Sequence, residues 1–135
     1  MASHTFKIDG AFYNDRTLPS LNDYLAEIGR HPKAGGRFKD KYMTIVISHI
    51  RRDLRGVKIT NPVIIDYEFF ERNKGRKRDV MNVFSCADKF IEDALVKSGV
   101  LKDDSPTYVV NATHEFHYID SEPYIKVTLR EIENV

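Results

Sequence analysis

Apolar residues along the chain follow two rhythms, and the switches between them outline the fold. Phe6 and Ile8 alternate with polar neighbours over Thr5–Ile8 and predict a first strand. Gly10–Leu18 has no such beat and reads as a loop. In Leu18-Pro19-Ser20-Leu21-Asn22-Asp23, Ser20 can cap a helix, and Asp23 three residues later favours its N-terminus. Leu21, Tyr24, Leu25 and Ile28 then recur at helical spacing until Pro32 and Gly35-Gly36 interrupt. A second helix is expected from about Gly36 to Leu54, with Tyr42, Ile45, Val46, His49 and Ile50 on its apolar stripe.

Pro62–Glu71 returns to the two-residue rhythm. Val63, Ile65, Tyr67 and Phe69 alternate with Asp66 and Glu68, while Ile64 and Phe70 make the other face partly apolar. A third helix is predicted over roughly Asn82–Ser98, with Val83, Ala87, Phe90, Ile91, Ala94 and Leu95 on one stripe and Gly99 as its stop. Tyr108–Tyr118 alternates again. Ile125, Val127 and Leu129 face away from Lys126, Thr128 and Arg130, after a turn at Ser121-Glu122-Pro123. The expected architecture is α+β, a mostly antiparallel sheet packed with two to three helices.

Length and composition narrow the class. The 135 residues suit one domain, residues 1–135, with a sizeable core. No apolar run approaches the ~20 residues of a membrane span. The opening MASHTFKIDG lacks the basic-then-apolar order of a secretory signal, so a cytoplasmic location is expected. A single cysteine, Cys86, excludes an internal disulfide and a cysteine-cluster zinc site. Net charge is only +1, yet five of the seven residues Arg72–Arg78 are Lys or Arg. Any affinity for nucleic acid should therefore be local and strongly salt-dependent.

That basic run leads into the candidate chemistry. Over Arg72–Asp104 it ends at Asp79, a helix carrying Lys89 and further acids follows, and the pair Asp103-Asp104 comes after Gly99. Cations beside carboxylates are what a metal-dependent nuclease needs, the first for phosphates and the second for Mg²⁺. Each feature also has a plainer explanation. Asp79 can be a helix cap. Asn82, Cys86, Lys89 and Asp93 can form an ordinary boundary face with a Lys89–Asp93 pair. Asp103-Asp104-Ser105-Pro106 can be a simple turn. The five histidines show no metal-ligand spacing, and His114 and His117 fall on opposite faces of a strand. No glycine-rich phosphate loop and no Ser or Cys nucleophile motif is present.

Lys77-Arg78-Asp79-Val80-Met81-Asn82, then Asp88-Lys89-Phe90-Ile91-Glu92-Asp93-Ala94-Leu95-Val96-Lys97-Ser98-Gly99, then Asp103-Asp104, resembles the RusA-like Holliday junction resolvase family. The phage and prophage form of Gram-positive bacteria is the nearest match. Leu18-Pro19-Ser20-Leu21-Asn22-Asp23-Tyr24 also resembles that subgroup. The pattern is a basic loop, Asp-x-Asp-Asn, a helix lysine ahead of Asp-Ala-Leu, a glycine, and an Asp-Asp turn. The resemblance places its first Asp on Asp79, its Asn on Asn82, its lysine on Lys89 and its acidic turn on Asp103 and Asp104. Its second Asp falls on Met81, which is no ligand for Mg²⁺. Either Asp88, two helical turns on, supplies the missing carboxylate, or Asp79 with Asp103 or Asp104 holds the ion with more water ligands.

What the resemblance implies is a homodimeric endonuclease of branched DNA, dependent on Mg²⁺ or Mn²⁺, encoded by a phage or prophage and working in the bacterial cytoplasm in recombination, repair or phage replication. Arg72, Lys74, Arg76, Lys77 and Arg78 would grip backbone phosphates. Asp79, Asp103 and Asp104 would hold the metal, and Lys89 would stabilise the charged transition state. A two-fold dimer would match the two-fold symmetry of a four-way junction. The competing expectation is a protein of the same fold that binds junctions or a partner, its catalysis lost at Met81.

Overall fold

The computed structural model describes residues 2–133. Four strands and three helices follow in the order β1 (Ser3–Asp9), α1 (Leu21–Arg30), α2 (Ala34–Asp53), β2 (Val63–Arg72), α3 (Val80–Lys97), β3 (Val109–Ile119) and β4 (Tyr124–Glu131). They build a single α+β domain around one core cluster. The sheet has the order β1-β4-β2-β3. β1 with β4 and β4 with β2 pair antiparallel, in line with the mostly antiparallel sheet expected. The pairing of β2 with β3 corrects that expectation, because it is parallel. Parallel neighbours need a long crossover, and α3 provides it.

Alternation in β2 becomes a strict inside–outside code. Val63, Ile65, Tyr67, Phe69 and Glu71 are buried, while Ile64, Asp66, Glu68, Phe70 and Arg72 lie on the other face. The same alternation buries Ile125, Val127 and Leu129 of β4. Helix residues Val46, Ile50, Val83, Ala87, Phe90, Ile91 and Leu95 complete the core on the inner face. Among the described residues the other face of β2 stays only partly buried, with no helix packed over it.

The caps form as the sequence indicates. Ser20 and Asp23 make a reciprocal capping box on α1, and Gly99, at φ 84°, follows the end of α3. Gly35 and Gly36, expected to interrupt, instead lie inside the first turn of α2. A Cβ at Gly35 would stand 2.6 Å from Ile28 Cγ1, so glycine lets α1 and α2 approach closely. Leu25 and Ile28 of α1 nevertheless stay about half exposed.

Candidate functional site

The basic loop between β2 and α3 is shaped from below by one buried carboxylate. Glu71, the last inward residue of β2, is 4% exposed. Arg16 Nη1 donates to its Oε1 at 3.1 Å, and Arg78 Nη2 donates to its Oε2 at 2.6 Å. Arg78 Nη1 also donates to the Leu18 carbonyl at 2.8 Å, and Arg16 Nη2 to the Arg76 carbonyl at 3.0 Å. A buried charge survives only with such partners. Arg78 is therefore engaged internally and fixes the loop, while its partly buried side chain also lines the groove described next. Lys74 and Arg76 project into solvent around Gly75, whose φ of 67° allows the turn. Lys77 places its Nζ 4.6 Å over the Tyr118 ring. Arg72 is partly buried on the outer face of the sheet, and its Nε has no hydrogen-bond partner.

A groove of about 390 Å³ opens where the N-termini of α1 and α3 meet this loop. Asp23, Arg76, Lys77, Arg78, Asp79 and Asn82 line it. Asp79 takes the plainer role that the sequence allowed: its Oδ1 accepts from the backbone N–H groups of Met81 at 3.0 Å and Asn82 at 3.2 Å and caps α3. Met81 is 53% exposed beside it. Asp23, read from the sequence only as a capping residue, shares the groove with Asp79.

A second acidic group gathers further along α3. Asp88 and Glu92 are one turn apart on the side facing β2. The buried Tyr67 hydroxyl donates to Asp88 Oδ1 at 2.8 Å. Burial pushes the Glu92 carboxyl up from 4.5 to about 9, and a hydrogen bond to Asp88 and the charges of Asp88, Asp104 and Asp93 reinforce the shift. The shift favours the protonated form of Glu92 at neutral pH, and the turn after α3 brings Asp104 near enough for its charge to contribute. The sequence reading missed Glu92. Its four-residue spacing from Asp88 was the available signal, but a burial-raised carboxyl leaves no trace in composition.

Other predicted partners do not meet. Lys89 is exposed, and Asp93 bonds Lys39 of α2 instead, so the expected Lys89–Asp93 pair is replaced by an interhelical one. Asp103 Oδ1 accepts from the Asp104 backbone N–H at 2.9 Å, tightening the turn. Thirteen residues separate Asp79 from Glu92, roughly 20 Å along the helix at 1.5 Å per residue. Asp79 and the Asp103-Asp104 turn therefore serve different ends of α3. Among the described residues, the one set of three ligand atoms within 4.8 Å of one another is Glu68, Glu115 and His117 on the outer face of the sheet; it could hold a metal ion.

No protein-family model matches the chain, and a comparison with curated proteins gives no significant relative. No helix among the described residues is long and apolar enough to cross a membrane.

Proposed function

We propose that this chain is a metal-dependent endonuclease of branched DNA, of the RusA-like kind, acting as a homodimer on four-way junctions. The observation that carries the reading is the pair Asp88 and Glu92 beside Tyr67 on the helix that the basic loop introduces, with Asp104 near enough for its charge to act on Glu92. Their carboxyl oxygens are hard donors of the kind Mg²⁺ takes, and they would have to draw closer together than they stand here to share one ion. The expected carboxylate set moves along α3 in consequence. Asp88 and Glu92 stand in for the position lost at Met81, Asp104 stays, and Asp79 keeps the helix capped.

A divalent ion held by these carboxyls would supply Lewis-acid activation at a phosphodiester. The chain's own contribution is separable from that. Tyr67 orients Asp88 through its hydroxyl. Glu92 holds a proton on its carboxyl that it can surrender when positive charge arrives. Lys74, Arg76 and Lys77 supply exposed positive charge for the DNA backbone. Lys89 is exposed one residue on from Asp88 and would stabilise charge on a phosphate that lay between the two side chains.

One observation favours a second reading. Asp79 is used as a cap, Arg78 is engaged by Glu71, and Met81 stands exposed between the groove residues, which suits a junction-binding protein that does not cut. Incubation with a synthetic four-way junction, with and without Mg²⁺, separates the two. Nicking of the junction in preference to linear duplex, only with Mg²⁺ or Mn²⁺, is the expected outcome. Tight binding with no cutting in either metal selects the binding protein.

A further inference from the structure

The outer face of the sheet carries a second constellation, which the nuclease reading does not use. β2 and β3 run parallel with Glu68 paired directly to Glu115 on that face. His117 lies two residues beyond Glu115 and shares the face. Its Nε2 stands 3.7 Å from Glu68 Oε1 and 3.8 Å from Glu115 Oε1. Both separations exceed a hydrogen bond, and Nε2 is shielded from solvent without a hydrogen-bond partner. Stacking on Phe70 at 4.7 Å and 19° fixes the imidazole plane, and Phe70 is itself stacked on Tyr124 at 4.3 Å. A rigid imidazole thus aims an unpartnered nitrogen between two adjacent carboxylates.

We infer that Glu68, Glu115 and His117 form a binding site for a transition-metal divalent cation of the Zn²⁺ class, with its remaining coordination position open to solvent. Bonds of ~2.1 Å in a tetrahedral site put neighbouring ligand atoms about 3.4 Å apart. The two edges at His117, 3.7 and 3.8 Å, need to close by only about 0.3–0.4 Å, and the edge between the carboxylates, within 4.8 Å, closes by rotation of the glutamate side chains. One imidazole with two carboxylates suits Zn²⁺, Co²⁺ or Ni²⁺ better than Mg²⁺, which prefers oxygen alone. Carboxylates directly opposed on neighbouring strands repel, and a cation relieves that. Lys126 relieves it only in part: its Nζ is 3.7 Å from Glu68 Oε2, whereas Oε1 is the oxygen that faces His117. Lysine and metal ion therefore take different oxygens, and the lysine's charge weakens metal binding without blocking it.

The test is titration of the metal-stripped full chain with Zn²⁺ by calorimetry and with Co²⁺ by visible absorption. One ion per chain that His117→Ala removes is expected at micromolar concentration, apart from any ion held at the acids of α3, and Glu115→Gln should weaken binding of that ion at least tenfold. Lys126→Met should tighten binding several-fold, a gain that a misfolded variant cannot mimic. No binding up to 100 μM Zn²⁺, or equal binding by wild type, His117→Ala and Glu115→Gln, overturns the site. Junction cutting in Mg²⁺ is expected to be unchanged in Glu115→Gln, so the outcome here is independent of the nuclease reading.

Discussion

Replacing Glu92 by Gln isolates the most perturbed carboxyl of the candidate site. The native group titrates near 9, whereas in the unfolded chain it returns to about 4.5. Between those values the folded protein binds more protons than the unfolded one, so stability from this residue falls as pH rises from 4.5 to 9. At pH 7 the gap of 2.5 pH units above the unfolded value would correspond to roughly 3 kcal/mol. Glu92 is only partly buried, and solvent screening reduces the figure to about 1–2 kcal/mol. Glutamine keeps the neutral shape and can still donate to Asp88, but it has no charge to suppress. Glu92→Gln should therefore match wild type near pH 4.5 and exceed it by about 1–2 kcal/mol at pH 7.

Urea unfolding at half-unit steps from pH 4.5 to 9 reads this directly, since the midpoint difference between the two proteins should widen steadily with pH. Parallel curves across that window would refute the placement of Glu92 beside Asp88 and Asp104, as would a glutamine variant that is weaker throughout. The same carboxyl links metal to protons. If a divalent ion binds there, Glu92 must release its proton, so calorimetry near pH 7.5 should show a binding heat that depends on the buffer's ionisation enthalpy. Glutamine should remove that dependence.

Arg78→Ala should cost about 2–3 kcal/mol, because Glu71 keeps only Arg16 as partner for a buried charge, whereas Arg76→Ala with Lys77→Ala should leave stability within about 0.5 kcal/mol. The double variant should instead weaken DNA binding and reduce the logarithmic salt slope by about 2, measured by anisotropy across a salt series. Asp79→Ala should lose about 1 kcal/mol as a broken cap, while Asp79→Asn keeps the cap. Wild-type junction cutting by Asp79→Asn, with cutting abolished in Asp88→Asn, is the result expected if the metal site has moved along α3; the reverse pair of results returns the site to Asp79.

Much of the fold is legible in the chain because burial imposes a period. Val63–Phe69 and Ile125–Leu129 bury one residue in two, and the stripes of α2 and α3 bury those three and four apart, as the apolar positions indicate. The direction of β3 is not legible, since alternation is the same for a strand running either way. The site divides along the same line. Charge density marks the basic loop, but the buried Glu71 that engages Arg78 reads as one more acid at a strand end. Asp88 and Glu92 lie on a turn whose neighbours Asp93 and Lys89 have the same composition. Only the packing of α3 against Tyr67 sorts the pair that faces inward from the pair that does not. Glu68, Glu115 and His117 are 47 residues or more apart from one strand to the other, and register alone unites them.

The length of α3 sets a scale for the DNA. The basic groove sits at the helix N-terminus and the Asp88–Glu92–Asp104 group lies roughly 20 Å along it, if distance is taken from Asp79 to Glu92. Phosphates on one duplex strand advance about 3.4 Å along the helix axis. If the DNA of the proposed reaction lies along α3, the loop cations would engage its backbone on the order of six nucleotides from the phosphate presented to the acids. Junction arms much shorter than that on one side of the cut cannot reach both, so cutting should fall at least tenfold as that arm is trimmed from about ten base pairs to four. Arg76→Ala with Lys77→Ala should flatten this dependence, because the missing cations no longer distinguish a long arm from a short one. Equal cutting of long and short arms by wild type would show that the two ends of α3 do not act on one DNA strand, and would assign the basic loop to something other than holding the substrate.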